Sequence, residues 1–262
     1  MTPHALRFAV FLALSAAATA GPLAAEKPYK PLPAEIGAGG PPPADLVERA
    51  QAVAEAVAAG SAEEVFAFLS DRPTVVSSGI TLGVARRVEK KGPYTDATSA
   101  LAAIGLAYTE GEPIAPSGKK IDMTASRVKT AMETIGDLLA AAKWGRDPLV
   151  PGAWCTSRGV RWDAKAAAKA GLGEGRGVYV TEKIAARADA DGTAKVVATL
   201  TPGMLYRLDQ SDEENGFSSL FLPNGKVGWV PMEKTGNPTT WGLCFEKGQA
   251  GWVLTTFVSA LL

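Results

Sequence analysis

Histidine is almost missing from this chain. Its 262 residues contain one, His4, in a segment that reads as a cleaved leader. Without imidazole, the rest of the chain cannot build a Ser-His-Asp or Cys-His catalytic set, a His-ligated zinc or iron site, or a histidine pH switch. Cysteine is scarce too. Cys155 and Cys244 are the only two, and neither has a CxxC partner, which argues against a thioredoxin-like motif or a cysteine-rich metal site. Charge of one sign is not in excess. The 27 basic and 27 acidic residues cancel, leaving no footprint for nucleic acid or for a polybasic membrane surface. Beyond the leader, no apolar run approaches the about 20 residues of a membrane span. No cofactor or metal is expected. What is present, 47 % apolar and 21 % charged, is the balance of a folded chain with room for one large or two small domains.

Residues 1–20 read as a signal peptide. Arg7 gives the positive start, residues 8–20 are apolar but for Ser15 and Thr19, and Ala18-Thr19-Ala20 has the small-x-small spacing. A second cleavage point follows Ala25. The expected location is therefore periplasmic or secreted, where disulfides persist. The simplest reading of Cys155 and Cys244 is one disulfide; two buried thiols or an intermolecular bridge are the alternatives.

Residues 21–43 hold seven prolines and read as an extended linker. Leu46, Ala50, Val53 and Val57 then recur at helical spacing until Gly60. Ser61 and Glu64 form a capping box for a short second helix, which Pro73 ends. Residues 74–88 lean towards strand. Asp96 caps a helix over 97–107. The strongest helix spans 125–144, with Val128, Met132, Ile135, Leu139 and Ala142 on one face. All six tryptophans lie at or after position 144. From 178 onward seven short apolar runs alternate with turns such as Pro202-Gly203 and Asn224-Gly225, the pattern of a small barrel.

Two pieces of that region resemble a bacterial SH3 (SH3b) domain. In the first, Arg187, Val197, Leu200 and Gly203 take the places of the family's Arg-turn, Val-x-x-Leu strand and Pro-Gly turn. The second, Asn224-Gly-Lys-Val-Gly-Trp-Val230, is similar to the family's Asn-Gly-Lys-x-Gly-Trp-Val hairpin. The resemblance covers 175–235. Ala188-Asp189-Ala190 and Asn215-Gly216-Phe217 depart from the usual sequence, and 236–262 adds a hairpin. The resemblance implies binding of cell-wall peptide or a protein partner.

The fold class expected is α+β. A small, mostly helical N-terminal domain (44–170) precedes a glycine-rich linker (171–177) and an SH3-like β-barrel (178–262).

Other motifs read as structure. The glycines of 171–177 follow a helical pattern and precede a strand, the reverse of a dinucleotide loop. Asp189-Ala-Asp-Gly192 lacks the acids that a calcium loop needs at 187 and 198. Ser117-Gly-Lys-Lys120 lacks the upstream glycine of a phosphate loop. Binding falls to Tyr206, Phe217 and Trp241, aromatics near the acidic run Asp212-Glu213-Glu214. On an SH3-like barrel such a set forms a groove for a cationic peptide.

The expected function is a non-catalytic binding or scaffold protein of the cell envelope, with no catalytic residue and no nucleic-acid partner. One alternative is an envelope hydrolase that pairs two of Glu63, Glu64, Glu89, Asp96, Glu110, Glu112 and Glu133. Another is an inhibitor or assembly factor for an envelope protein.

Overall fold

The computed structural model describes residues 27–77, 81–108, 121–238 and 240–259; the side chains of 210–212 lie outside that description. Its elements run β1 (Leu32–Ile36), α1 (Ala44–Ala58), α2 (Ala62–Ala67), β2 (Leu69–Ser77), β3 (Arg87–Lys90), α3 (Ala97–Ala107) and α4 (Thr124–Ala140). There follow β4 (Trp154–Cys155), β5 (Val160–Trp162), α5 (Ala164–Lys169), β6 (Gly177–Val180), β7 (Ile184–Arg187) and β8 (Val196–Leu200). The last are β9 (Met204–Glu214), β10 (Phe217–Phe221), β11 (Val227–Pro231), β12 (Thr235–Gly236), β13 (Gly242–Gly248) and β14 (Gly251–Ser259).

Local chemistry explains the helices. Leu46, Ala50, Val53 and Ala56 are the buried face of α1. The Ser61 hydroxyl accepts from Glu64 N at 3.4 Å to cap α2. The Asp96 carboxylate accepts from Ser99 N at 2.8 Å to cap α3, and this bond holds its carboxyl below the usual carboxylate range. Gly105 lets α3 and α4 approach closely: a Cβ there would sit 1.9 Å from Arg127 O.

The helices do not make a domain of their own, and the expected α+β division is corrected. Strands hold 35 % of the chain against 27 % for helices, so the protein is mostly β. Leu46, Val53, Leu101, Ile104 and Ile135 bury themselves on Leu243, Phe245, Leu254 and Phe257 from the chain's final hairpin. That hairpin belongs to a five-stranded sheet ordered β3-β2-β14-β13-β4, in which β14 runs parallel to β2. The physical reason is the apolar stripe on each helix, which needs a partner surface. Residues 242–259 supply it, so they leave the barrel where the sequence reading had put them.

The second sheet follows the path β12-β6-β9-β10-β11-β7-β8. Leu200, Tyr206, Leu220, Leu222 and Val230 fill its interior. The proline-rich segment joins it as β1, which pairs with β9 and then with β5. Pro33 is paired on one side only, to Met204, where a residue without N–H is tolerated. Tyr29 fastens the segment further. Its hydroxyl donates to Phe221 O (2.6 Å) and accepts from Arg207 N (3.1 Å).

A seam joins the sheets. Cys244 pairs across strands with Cys155 and is disulfide-bonded to it. Cys155 exchanges backbone bonds with Gly145 (2.8 and 2.9 Å), and Arg146 N donates to Ala38 O (2.8 Å) just beyond β1. Hydrogen bonding thus runs from the last hairpin to the proline-rich segment. Among the described residues, no helix is long and apolar enough to cross a membrane.

Candidate functional site

The structure separates the residues that the sequence grouped. Tyr206 is 2 % exposed and sits inside the β9–β11 sheet. Its hydroxyl accepts from Thr201 N (2.6 Å) and donates to Thr201 O (3.4 Å). It closes a turn and cannot reach a ligand. Trp241 is 38 % exposed, but it packs at a tilt against Tyr108, with ring centroids 5.4 Å apart and ring planes at 56°, and Tyr108 belongs to the helix-covered core. The Asp212 side chain lies outside the described residues.

Glu213, Glu214 and Phe217 do come together. Asn215 (φ 51°) and Gly216 (φ 78°) are both left-handed, the conformation of a tight two-residue hairpin turn. The turn sets Glu214 opposite Phe217 and Glu213 opposite Ser218. Both glutamates are exposed and Phe217 is half-buried. On its other side Phe217 pairs with Pro231. Met232, 38 % exposed, donates its N–H to Gly216 O at 2.9 Å. The hairpin end therefore sets Phe217, Pro231 and Glu214 side by side on one face, with exposed Met232 next in the chain, while Glu213, opposite buried Ser218, belongs to the other face. Pro231 and Met232 were not singled out from the sequence. Their signal was the alternation of β11, which puts residues 227, 229 and 231 on one face.

A cleft of about 390 Å³ opens at the seam, lined by Glu35, Ile36, Gly37, Arg146, Asp147 and Val150 among others. Asp147 receives Nη1 of Arg86 at 3.0 Å and Nη2 at 2.5 Å, and its Oδ1 also accepts from Leu149 N. Glu35 is ion-paired with Arg161. Each carboxylate of the cleft is thus engaged by an arginine. Of the acids considered for a paired-carboxylate mechanism, Asp96 is a helix cap, Glu89 pairs with Lys91 and Glu133 pairs with Lys129. Glu63 and Glu64 lie in the first turn of α2. Glu110 and Glu112 lie outside the described residues. Among the described residues, no three His, Cys, Asp or Glu side chains are grouped to hold a metal ion.

No family model, curated protein or solved structure matches this chain.

Proposed function

We propose that this protein is an exported, non-catalytic binding protein of the cell envelope, and that the β9–β10 hairpin end is its ligand surface. The observation that carries this reading is the half-exposed Phe217, flanked on its own face by Pro231 and Glu214, with exposed Met232 next in the chain. Apolar side chains bordered by a carboxylate suit a peptide with a cationic residue beside an apolar one. The disulfide supports export to an oxidising compartment. The resemblance of 175–235 to SH3b domains is supported by the antiparallel run β12-β6-β9-β10-β11, which the β7–β8 hairpin continues beyond β11. The ligand is then a cell-wall peptide or a segment of an envelope protein.

The test is capture from envelope extract, with purified peptidoglycan as a separate bait. The chain from Gly21 is compared with a Glu213→Lys/Glu214→Lys/Phe217→Ser variant. The reading expects capture by the parent and its loss in the variant. Equal capture by both would overturn it. Tyr206 is left unchanged, because its removal would empty the sheet interior.

A further inference from the structure

Four arginines surround the seam cleft or bond to its walls, and only two carboxylates face them. Arg86 is consumed by Asp147 and Arg161 by Glu35. Arg158 donates Nε to Gly37 O at 2.7 Å. Arg146 is the one of the four that lines the cleft itself. Its Nη1 donates to Gly152 O (2.9 Å) and Ala153 O (2.8 Å), and its guanidinium lies 4.0 Å over the Trp154 ring. Two carbonyls and an indole fix the group, while its Nε and Nη2 have no protein hydrogen bond among the described residues. A guanidinium held by one nitrogen, with its remaining N–H groups unspent, is a preorganised receptor for a planar oxyanion. Ile36, Pro148, Val150 and Pro151 line the same cleft.

We infer that this cleft binds the terminal carboxylate of a peptide carrying a small apolar last residue, with Arg146 as the group that holds the carboxylate. One guanidinium lining the cleft amid aliphatic walls fits a singly charged carboxylate better than a phosphate dianion, which needs more donors. Glu35 at the cleft opposes a carboxylate and is tempered by Arg161. The site is separate from the hairpin end and does not rest on the function proposed there.

The test is an amide chemical-shift titration of the whole chain with N-acetyl-L-alanine, with its amide and with inorganic phosphate. The acid shifts Gly37, Val150 and Gly152 saturably, at about millimolar affinity for a probe of about nine heavy atoms. The amide does not. Arg146→Met weakens the acid about tenfold or more, Arg146→Lys weakens it several-fold, and Glu35→Gln tightens it. Arg146→Lys keeps a donor for the two carbonyls, so it carries the test if Arg146→Met fails to fold. Equal shifts with acid and amide overturn the inference, as does undiminished affinity in either Arg146 variant. Phosphate binding more tightly than the acid at the same amides would also overturn it.

Discussion

Asp147 occupies the space that a side chain on Gly159 would need. A Cβ on Gly159 would stand 2.1 Å from Asp147 Cγ. The carboxylate is fixed there by Arg86, and the two side chains are 2 % and 3 % exposed. The missing Cβ at 159 is thus a condition for a buried ion pair that ties the segment before β3 to the loop before β4. Arg86 Nη1 also donates to Val160 O at 3.0 Å, which carries the tie into β5.

Gly159→Ala should therefore destabilise the fold by forcing this pair apart. Breaking a buried pair costs about 3–5 kcal/mol. Asp147→Ala should cost a similar amount, because it strands a buried guanidinium. Arg86→Met/Asp147→Leu should cost less than Asp147→Ala alone, since no uncompensated charge remains. Urea unfolding of the three variants checks the order. A double variant as unstable as Asp147→Ala would contradict it.

Removal of the disulfide should cost about 2–5 kcal/mol. The bond closes a separation of 89 residues and bridges β4 to β13 at the seam. Cys155→Ala/Cys244→Ala, compared with the parent in denaturant, measures the loss. A loss below about 1 kcal/mol would show that the seam is held by its hydrogen bonds alone.

Tyr29 sets an alkaline limit to stability. Burial pushes its hydroxyl from 10.0 up to about 12, against the opposing backbone bond from Arg207. A raised folded value means that the protonated form is the one favoured by folding. Its contribution is complete below pH 10 and is lost as pH climbs through about 12. Burial raises Tyr108 and Tyr179 as well, so they add to the same alkaline fall. Tyr29→Phe should lower stability at neutral pH and flatten the fall above pH 10. Thermal melts across that range test this, and an unchanged slope would refute it.

Gly105→Ala should lower stability even though alanine is the better helix former. The added methyl meets Arg127 O at 1.9 Å, so α3 and α4 must separate. Overpacking of this kind costs about 1–3 kcal/mol. A variant at least as stable as the parent in urea would show that the two helices part freely.

Local signals carried well from sequence to structure. Asp96 capping α3, Ser61 capping α2 and β8 over Val196–Leu200 all rest on neighbours within a few residues; of the Ser61–Glu64 box only the Ser61 half forms, because Ser61 N donates to Ala56 O. The pairing of β14 with β2 does not. Leu254 meets Leu69 and Phe257 meets Val75, pairs 185 and 182 residues apart. Local periodicity holds no record of such a pairing. Burial at every position from Thr256 to Ser259 marks a strand covered on both faces, yet its polar ends, Thr256 and Ser259, keep it from reading as a continuous apolar run. The proline-rich segment misled for a related reason. Composition reports what Pro33 cannot donate, but not that Met204 stands ready to pair with it on one side. In the candidate site, Glu213, Glu214 and Phe217 meet because a two-residue turn joins them. Tyr206 and Trp241 were grouped with them by residue type, and their surroundings are set by the sheet interior and by Tyr108.

The most direct test of the binding account is one capture experiment with three single variants read side by side. Phe217→Ser alters the hairpin end, Arg146→Met the seam cleft, and Val47→Ser the exposed face of α1. Each is presented to the same envelope extract after its fold has been checked by circular dichroism. The account predicts that Phe217→Ser loses the captured partner while Val47→Ser keeps it. Capture lost by Val47→Ser and retained by Phe217→Ser would contradict it and move the binding surface to the helices.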